Sequence, residues 1–206
     1  MQCVKKHLRK EINMAKPELI KSSGWFFIAG AFAFITILTG SDPIAIPGSV
    51  VSAILLAVGM SRLRVAYSET VGPFGRTFLL LGVLGPVLWC IVIGSMPIIR
   101  VTETQVNEGL WVLIFVGPAI SLLGLTLFGL TALISRPMSR LNWLPVFVGI
   151  WYPVTFTLFS IYDISHKGKF PDQYLPALVL IVVIQFLALC LLGFILVIDP
   201  PRVMAQ

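Results

Sequence analysis

The chain has 206 residues, 57% hydrophobic and 12% charged, with a formal net charge of +6. Globular proteins carry about 25% charged residues, and a soluble all-α protein would need polar helix faces that this sequence lacks. Apolar stretches take up nearly the whole length, so no soluble domain of even about 50 residues can be cut from it.

Residues 1–21 are polar and basic. Val4, Leu8, Ile12 and Leu19 give the segment a weak amphipathic pattern, which Pro17 interrupts. A solvated tail that helps fix topology is the ordinary reading of such a segment. The sharper one is a strip lying on anionic lipid. Lys10-Glu11 can be encoded by a purine-rich hexamer resembling a bacterial ribosome-binding site, which would make Met14 an alternative start.

Six charge-free stretches follow, at 22–41, 43–61, 77–99, 109–135, 141–162 and 173–198. A helix needs about 20 apolar residues to cross the hydrocarbon core. The expected fold is therefore all-α: a transmembrane bundle of six helices over 22–199 with short loops. The first stretch is long enough to span, and no small-x-small cleavage site follows it, so it reads as a retained helix. Residues 200–206 form a short tail.

Orientation comes from lysine and arginine. With the N-terminus cytoplasmic, Lys5, Lys6, Arg9, Lys10, Lys16, Lys21, Arg62, Arg64, Arg76, Arg136, Arg140 and Arg202 face the cytoplasm. Only Arg100, Lys167 and Lys169 face outward. This positive-inside bias puts both termini in the cytoplasm of a multi-pass plasma- or inner-membrane protein. The loop at 62–76 holds the turn sequence Gly72-Pro73-Phe74-Gly75, and the loop at 136–140 is minimal.

Lipid tails are as apolar as leucine, so membrane helices associate through close packing at small residues. Residues four apart share a helix face. Ser49, Ala53, Ala57 and Ser61 form such a row on helix 2. Similar rows are Gly82, Pro86, Cys90 and Gly94 on helix 3, and Pro145, Gly149, Pro153 and Thr157 on helix 5. Helix 1 has Ala29, Ala33, Thr36 and Gly40. These are expected packing faces, inside the bundle or against a partner. Pro86, Pro118 and Pro153 lie within spans and bend them.

Chemistry is sparse. No Asp, Glu, Lys, Arg or His falls mid-span, which argues against a proton-coupled carrier. The two histidines, His7 and His166, lie outside the spans, so neither bis-histidine haem nor a His-x-x-x-His metal helix fits. The three cysteines have no paired spacing. Ser52 and Ser121 have no intramembrane base to activate them. No cofactor, metal or nucleic acid is expected, and no catalytic residue.

Gln185 is the most polar group deep in a span, and a carboxamide in hydrocarbon needs hydrogen-bond partners. Tyr152, Thr155 and Thr157 on helix 5 are the candidates, as interhelical bonds or as ligand contacts beside the Trp151-Tyr152 pair. Trp25, Trp111 and Trp143 fit interfacial anchors.

Two segments, Gly59-Met60-Ser61-Arg62-Leu63-Arg64 and Phe74-Gly75-Arg76-Thr77-Phe78-Leu79-Leu80-Leu81-Gly82, carry a pattern-level resemblance. It is to small six-helix bacterial inner-membrane proteins of unassigned function, and it implies no activity. The expected role is an accessory or assembly subunit, or a stress-related membrane protein, working through helix contacts. Its partners would be the lipid bilayer and other membrane subunits or a second copy. The alternative is a permease or channel component for a neutral or lipidic solute, resting on the mid-span prolines, Gln185 and Trp151-Tyr152.

Overall fold

The computed structural model describes residues 2–39, 42–102, 108–136, 142–150 and 175–198, and every regular element in them is helical. The described residues form six helices: α1 (Gln2–Phe34), α2 (Asp42–Tyr67), α3 (Gly72–Thr102), α4 (Glu108–Ser135), α5 (144–150) and α6 (Leu175–Ile198). A 3-10 turn, Ile35–Thr39, extends α1. Three helices are long and apolar enough to cross a membrane: Pro43–Tyr67, Gly72–Ser95 and Val116–Ser135. The stretch Val182–Ile198 is a shorter apolar helix.

Helix ends do not coincide with the charge boundaries of the sequence. The basic segment is continuous with the first apolar stretch, and α1 passes through Pro17. A proline removes one helical bond and bends the helix, but the bonds on either side can carry it onward. α2 continues past Arg62 and Arg64 to Tyr67, because arginine is a good helix former. The turn sequence at Gly72-Pro73 is in fact the start of α3. Gly72 takes a left-handed φ of 67°, and Pro73 sits in the first helical turn, where a missing N–H costs nothing.

Consecutive helices run antiparallel and pack as neighbours: α1 on α2, α2 on α3, α3 on α4, with α6 returning to α1. Gly129 of α4 faces Pro145 and Val146 at the start of α5, and Gly149 faces Leu122 of α4. Gln185 of α6 reaches Val148 of α5. These contacts close a ring. Glycine makes its tightest seams. A methyl group at Gly193 would lie 2.6 Å from the Gly24 carbonyl oxygen, and one at Gly85 would lie 2.5 Å from that of Gly117. Only glycine allows backbones so close, the geometry expected where packing rather than hydrophobicity holds helices together.

The centre of the ring is filled. Phe27, Leu63, Leu79, Leu125, Phe128, Leu144, Val148 and Leu192, drawn from all six helices, are fully buried in one core. A smaller second cluster gathers Ala53, Trp89 and Ile93 with Phe34, Ile46, Val50 and Cys90. The outside is the reverse of a water-soluble surface. Phe32, Ile54, Ile91, Leu180, Leu187 and Phe194 are each at least half exposed. An apolar patch of that extent suits a lipid solvent and not water.

Candidate functional site

The buried polar side chains sit at helix crossings. Ser23 (α1) donates to the Gly59 carbonyl oxygen (α2) at 2.7 Å, and Ser52 (α2) donates to that of Gly30 (α1) at 2.8 Å. Ser121 (α4) donates to the Gly82 carbonyl oxygen (α3) at 3.2 Å. Each acceptor is a glycine, because a bare backbone lets the short serine side chain reach it. Hydroxyls committed this way are structural bonds.

The Ser121 bond has a further cause. In a helix the carbonyl of Gly82 would accept from the N–H of residue 86. That residue is Pro86, which has no N–H. Ser121 supplies the missing donor from the neighbouring helix, so the proline of α3 and the serine of α4 form one unit. Gly85, Gly117 and Gly124 bring the two backbones together around it.

Gln185 is 9% exposed, and its Nε2 donates to the Val148 carbonyl oxygen at 3.4 Å, a long bond. The carboxamide thus engages the helix named from sequence, through a backbone group. Tyr152, Trp151, Thr155 and Thr157 lie outside the described residues, as do Pro153, His166 and the acidic residues near it.

The small-residue row of α2 divides. Ser49 and Ala53 are buried within the chain: Ser49 donates back to Ala45, and Ala53 packs in the cluster with Trp89. Ala57 and Ser61 are half-buried. The row on α3 behaves likewise, with Gly82 and Pro86 buried and Gly94 exposed to open space. On α1, Ala29 is exposed, and the buried face is instead Ile20, Ser23, Gly24, Phe27, Gly30 and Ala31. The reason is geometric. Four residues advance a helix by about 400°, so a four-residue row turns by about 40° per step and leaves its face after three.

Two buried donors, the Tyr67 hydroxyl and the Trp89 indole N–H, have no acceptor among the described residues. Tyr67 ends α2, 2% exposed, with its ring 6.0 Å from that of Phe128. Trp89 is 6% exposed, 6.0 Å from the ring of Phe34. Neither was legible as special, because a tyrosine near a span end reads as an interfacial anchor. Trp25 and Trp143 are well exposed, as anchors would be. Among the described residues no group of His, Cys, Asp or Glu is placed to hold a metal.

Comparison with protein-family models, with curated proteins and with solved structures finds no match.

Proposed function

We propose that this chain is a six-span protein of the plasma or inner membrane with both termini in the cytoplasm. In this reading it is a non-catalytic component, an accessory or assembly subunit or a stress-related membrane protein, and it acts through helix contacts. The observation that carries the proposal is the filled interior. Among the described residues, Phe27, Leu79, Leu125, Phe128 and Leu192 are fully buried in one apolar core. Ser23, Ser52, Ser121 and Gln185 spend their polar groups on bonds between helices. What the chain offers outward is an apolar surface, suited to lipid and to other helices.

Purification in mild detergent tests this. A stable partner, or a second copy, should accompany the chain. In liposomes the purified chain alone should move small neutral solutes no faster than empty vesicles. Reproducible flux, lost on changing Gln185 or Tyr152, would overturn the proposal. The orientation has its own test. In a cysteine-free background, cysteine placed at Thr104 or Ser165 should react with an impermeant thiol reagent in intact cells, and cysteine at Ser139 should not. The reverse pattern would invert the topology.

A second reading, a permease for a neutral or lipidic solute, is favoured by one observation. Tyr67 and Trp89 keep buried donors without acceptors among the described residues. Such groups cost stability, and a solute carrying an acceptor would relieve the cost.

A further inference from the structure

Among the side chains whose exposure is described, the charged ones share one end of the ring. The charged side chains whose exposure is described are Glu18, Lys21, Arg62, Arg64, Glu69, Arg76 and Arg136, and all lie there. Five cations stand against two carboxylates. Most of the cations stand beside a large exposed apolar group: Trp25 one turn from Lys21, Val65 next to Arg64, Phe74 near Arg76 and Ile134 near Arg136. Ile134 is 86% exposed and Phe74 72%, so these side chains project outward with the cations. Alternating cationic and apolar groups match the boundary between lipid headgroups and acyl chains, where snorkelling side chains settle.

One of the five cations is held in place by another helix. The Arg62 guanidinium of α2 lies over the Phe26 ring of α1, its central carbon 4.7 Å from the ring centroid. Both residues are half-buried, on the outer side of the seam that Ser23 and Gly59 draw together. A guanidinium attracted to a ring in this way keeps N–H groups that can donate elsewhere. Arginine's planar fork is well suited to bind a phosphate oxygen pair. Helical spacing puts Ala29 on the Phe26 face of α1, and Leu55 and Val58 on the Arg62 face of α2, and all three are exposed or half-buried, an apolar strip toward the middle of the helices.

We infer that the outer α1–α2 seam seats one acidic phospholipid, with its headgroup phosphate on Arg62 and an acyl chain along Ala29, Leu55 and Val58. The excess of positive charge selects an anionic headgroup, and the apolar strip selects a lipid over a free phosphate ester. The inference rests on the membrane reading above. It does not rest on the orientation, which decides only the leaflet.

Native mass spectrometry of the detergent-solubilised chain tests it with phosphatidylglycerol, phosphatidylcholine and soluble glycerol phosphate as probes. The wild-type chain should retain phosphatidylglycerol in preference to phosphatidylcholine, and glycerol phosphate should not displace it. Arg62→Gln should lower retention about fivefold, the change that loss of one basic residue near a lipid surface produces. Phe26→Leu keeps the charge and removes the stack, and should give a smaller loss. It also serves where Arg62→Gln fails to fold. Equal retention of the two lipids by the wild-type chain would overturn the proposal. So would displacement by glycerol phosphate, or wild-type retention in both variants. Failure here leaves the six-span reading standing, because that reading predicts insertion and not headgroup selection.

Discussion

Ser121→Ala isolates the link between Pro86 and α4. The substitution removes a hydroxyl from a side chain that is 7% exposed and leaves the Gly82 carbonyl oxygen without its side-chain donor. A buried acceptor left unpaired costs about 1–3 kcal/mol. Interhelical bonds in membranes average about 0.6 kcal/mol and reach about 1.7. The bond is 3.2 Å long, beyond the usual reach of an O–H···O bond, but its acceptor is denied the N–H that a residue other than proline at 86 would supply. The upper part of the membrane range follows, a loss of about 1–1.7 kcal/mol. Ser52→Ala is the matched control, because its acceptor, Gly30, has the N–H of Phe34 four residues on. It should cost no more than about 0.6 kcal/mol. The decisive measurement is a double-mutant cycle with Pro86→Ala, read by denaturant unfolding in micelles. Alanine at 86 restores an N–H to the Gly82 carbonyl, so Ser121→Ala should cost little in that background. The coupling between the two sites should be about 1 kcal/mol. Additive effects would refute the reasoning, since they would mean that Ser121 does not stand in for the lost backbone donor.

Tyr67→Phe should leave the unfolding midpoint unchanged or raise it, because it deletes an unpartnered buried hydroxyl and keeps the ring against Phe128. A loss above about 1 kcal/mol would show that the hydroxyl has an acceptor. Ala53→Leu should destabilise the chain itself by about 1–3 kcal/mol, since Ala53 is fully buried against Trp89 and Ile93. Release of a partner with unchanged intrinsic stability would return the Ser49–Ala53 part of the row to an external face. Gln185→Leu should cost at most about 0.6 kcal/mol in the same assay, given a bond of 3.4 Å. If unfolding is unaffected while binding or transport disappears, Gln185 is a ligand contact.

Hydrophobic runs in the sequence located the helices, because length and apolarity are all that a bilayer demands of a span. The stretch 109–135 differs by one residue from Glu108–Ser135, and 173–198 by two from Leu175–Ile198. They located the ends of α2 and α3 less well. Charge marks the edge of the apolar slab, while the helix ends where capping or a left-handed residue stops it, as at Gly72. Packing faces were harder still. Four-residue rows found Ser49, Ala53, Gly82 and Gly149 and lost their way at Ser61 and Gly94, because a straight helix does not repeat every four residues. The serine-to-glycine bonds and the stack of Arg62 on Phe26 join residues far apart in the chain, and no local pattern announces them.

Closure of the ring also fixes when α1 gains its full set of neighbours. Chains fold from the N-terminus as they are made, and the seam between Gly24 and Gly193 joins α1 to α6. Until α6 arrives, the face of α1 formed by Ile20, Phe27 and Ala31 lacks one of its covering neighbours, and the bundle is an open arc with two unmatched edges. An arc can accept a helix from another molecule as readily as its own. A seam that needs glycine on both sides is then a lock with a narrow key, admitting α6 and turning away bulkier helices. Late closure makes the arrival of α6 the step at which a nascent chain either seals its own ring or exchanges a helix with its neighbour.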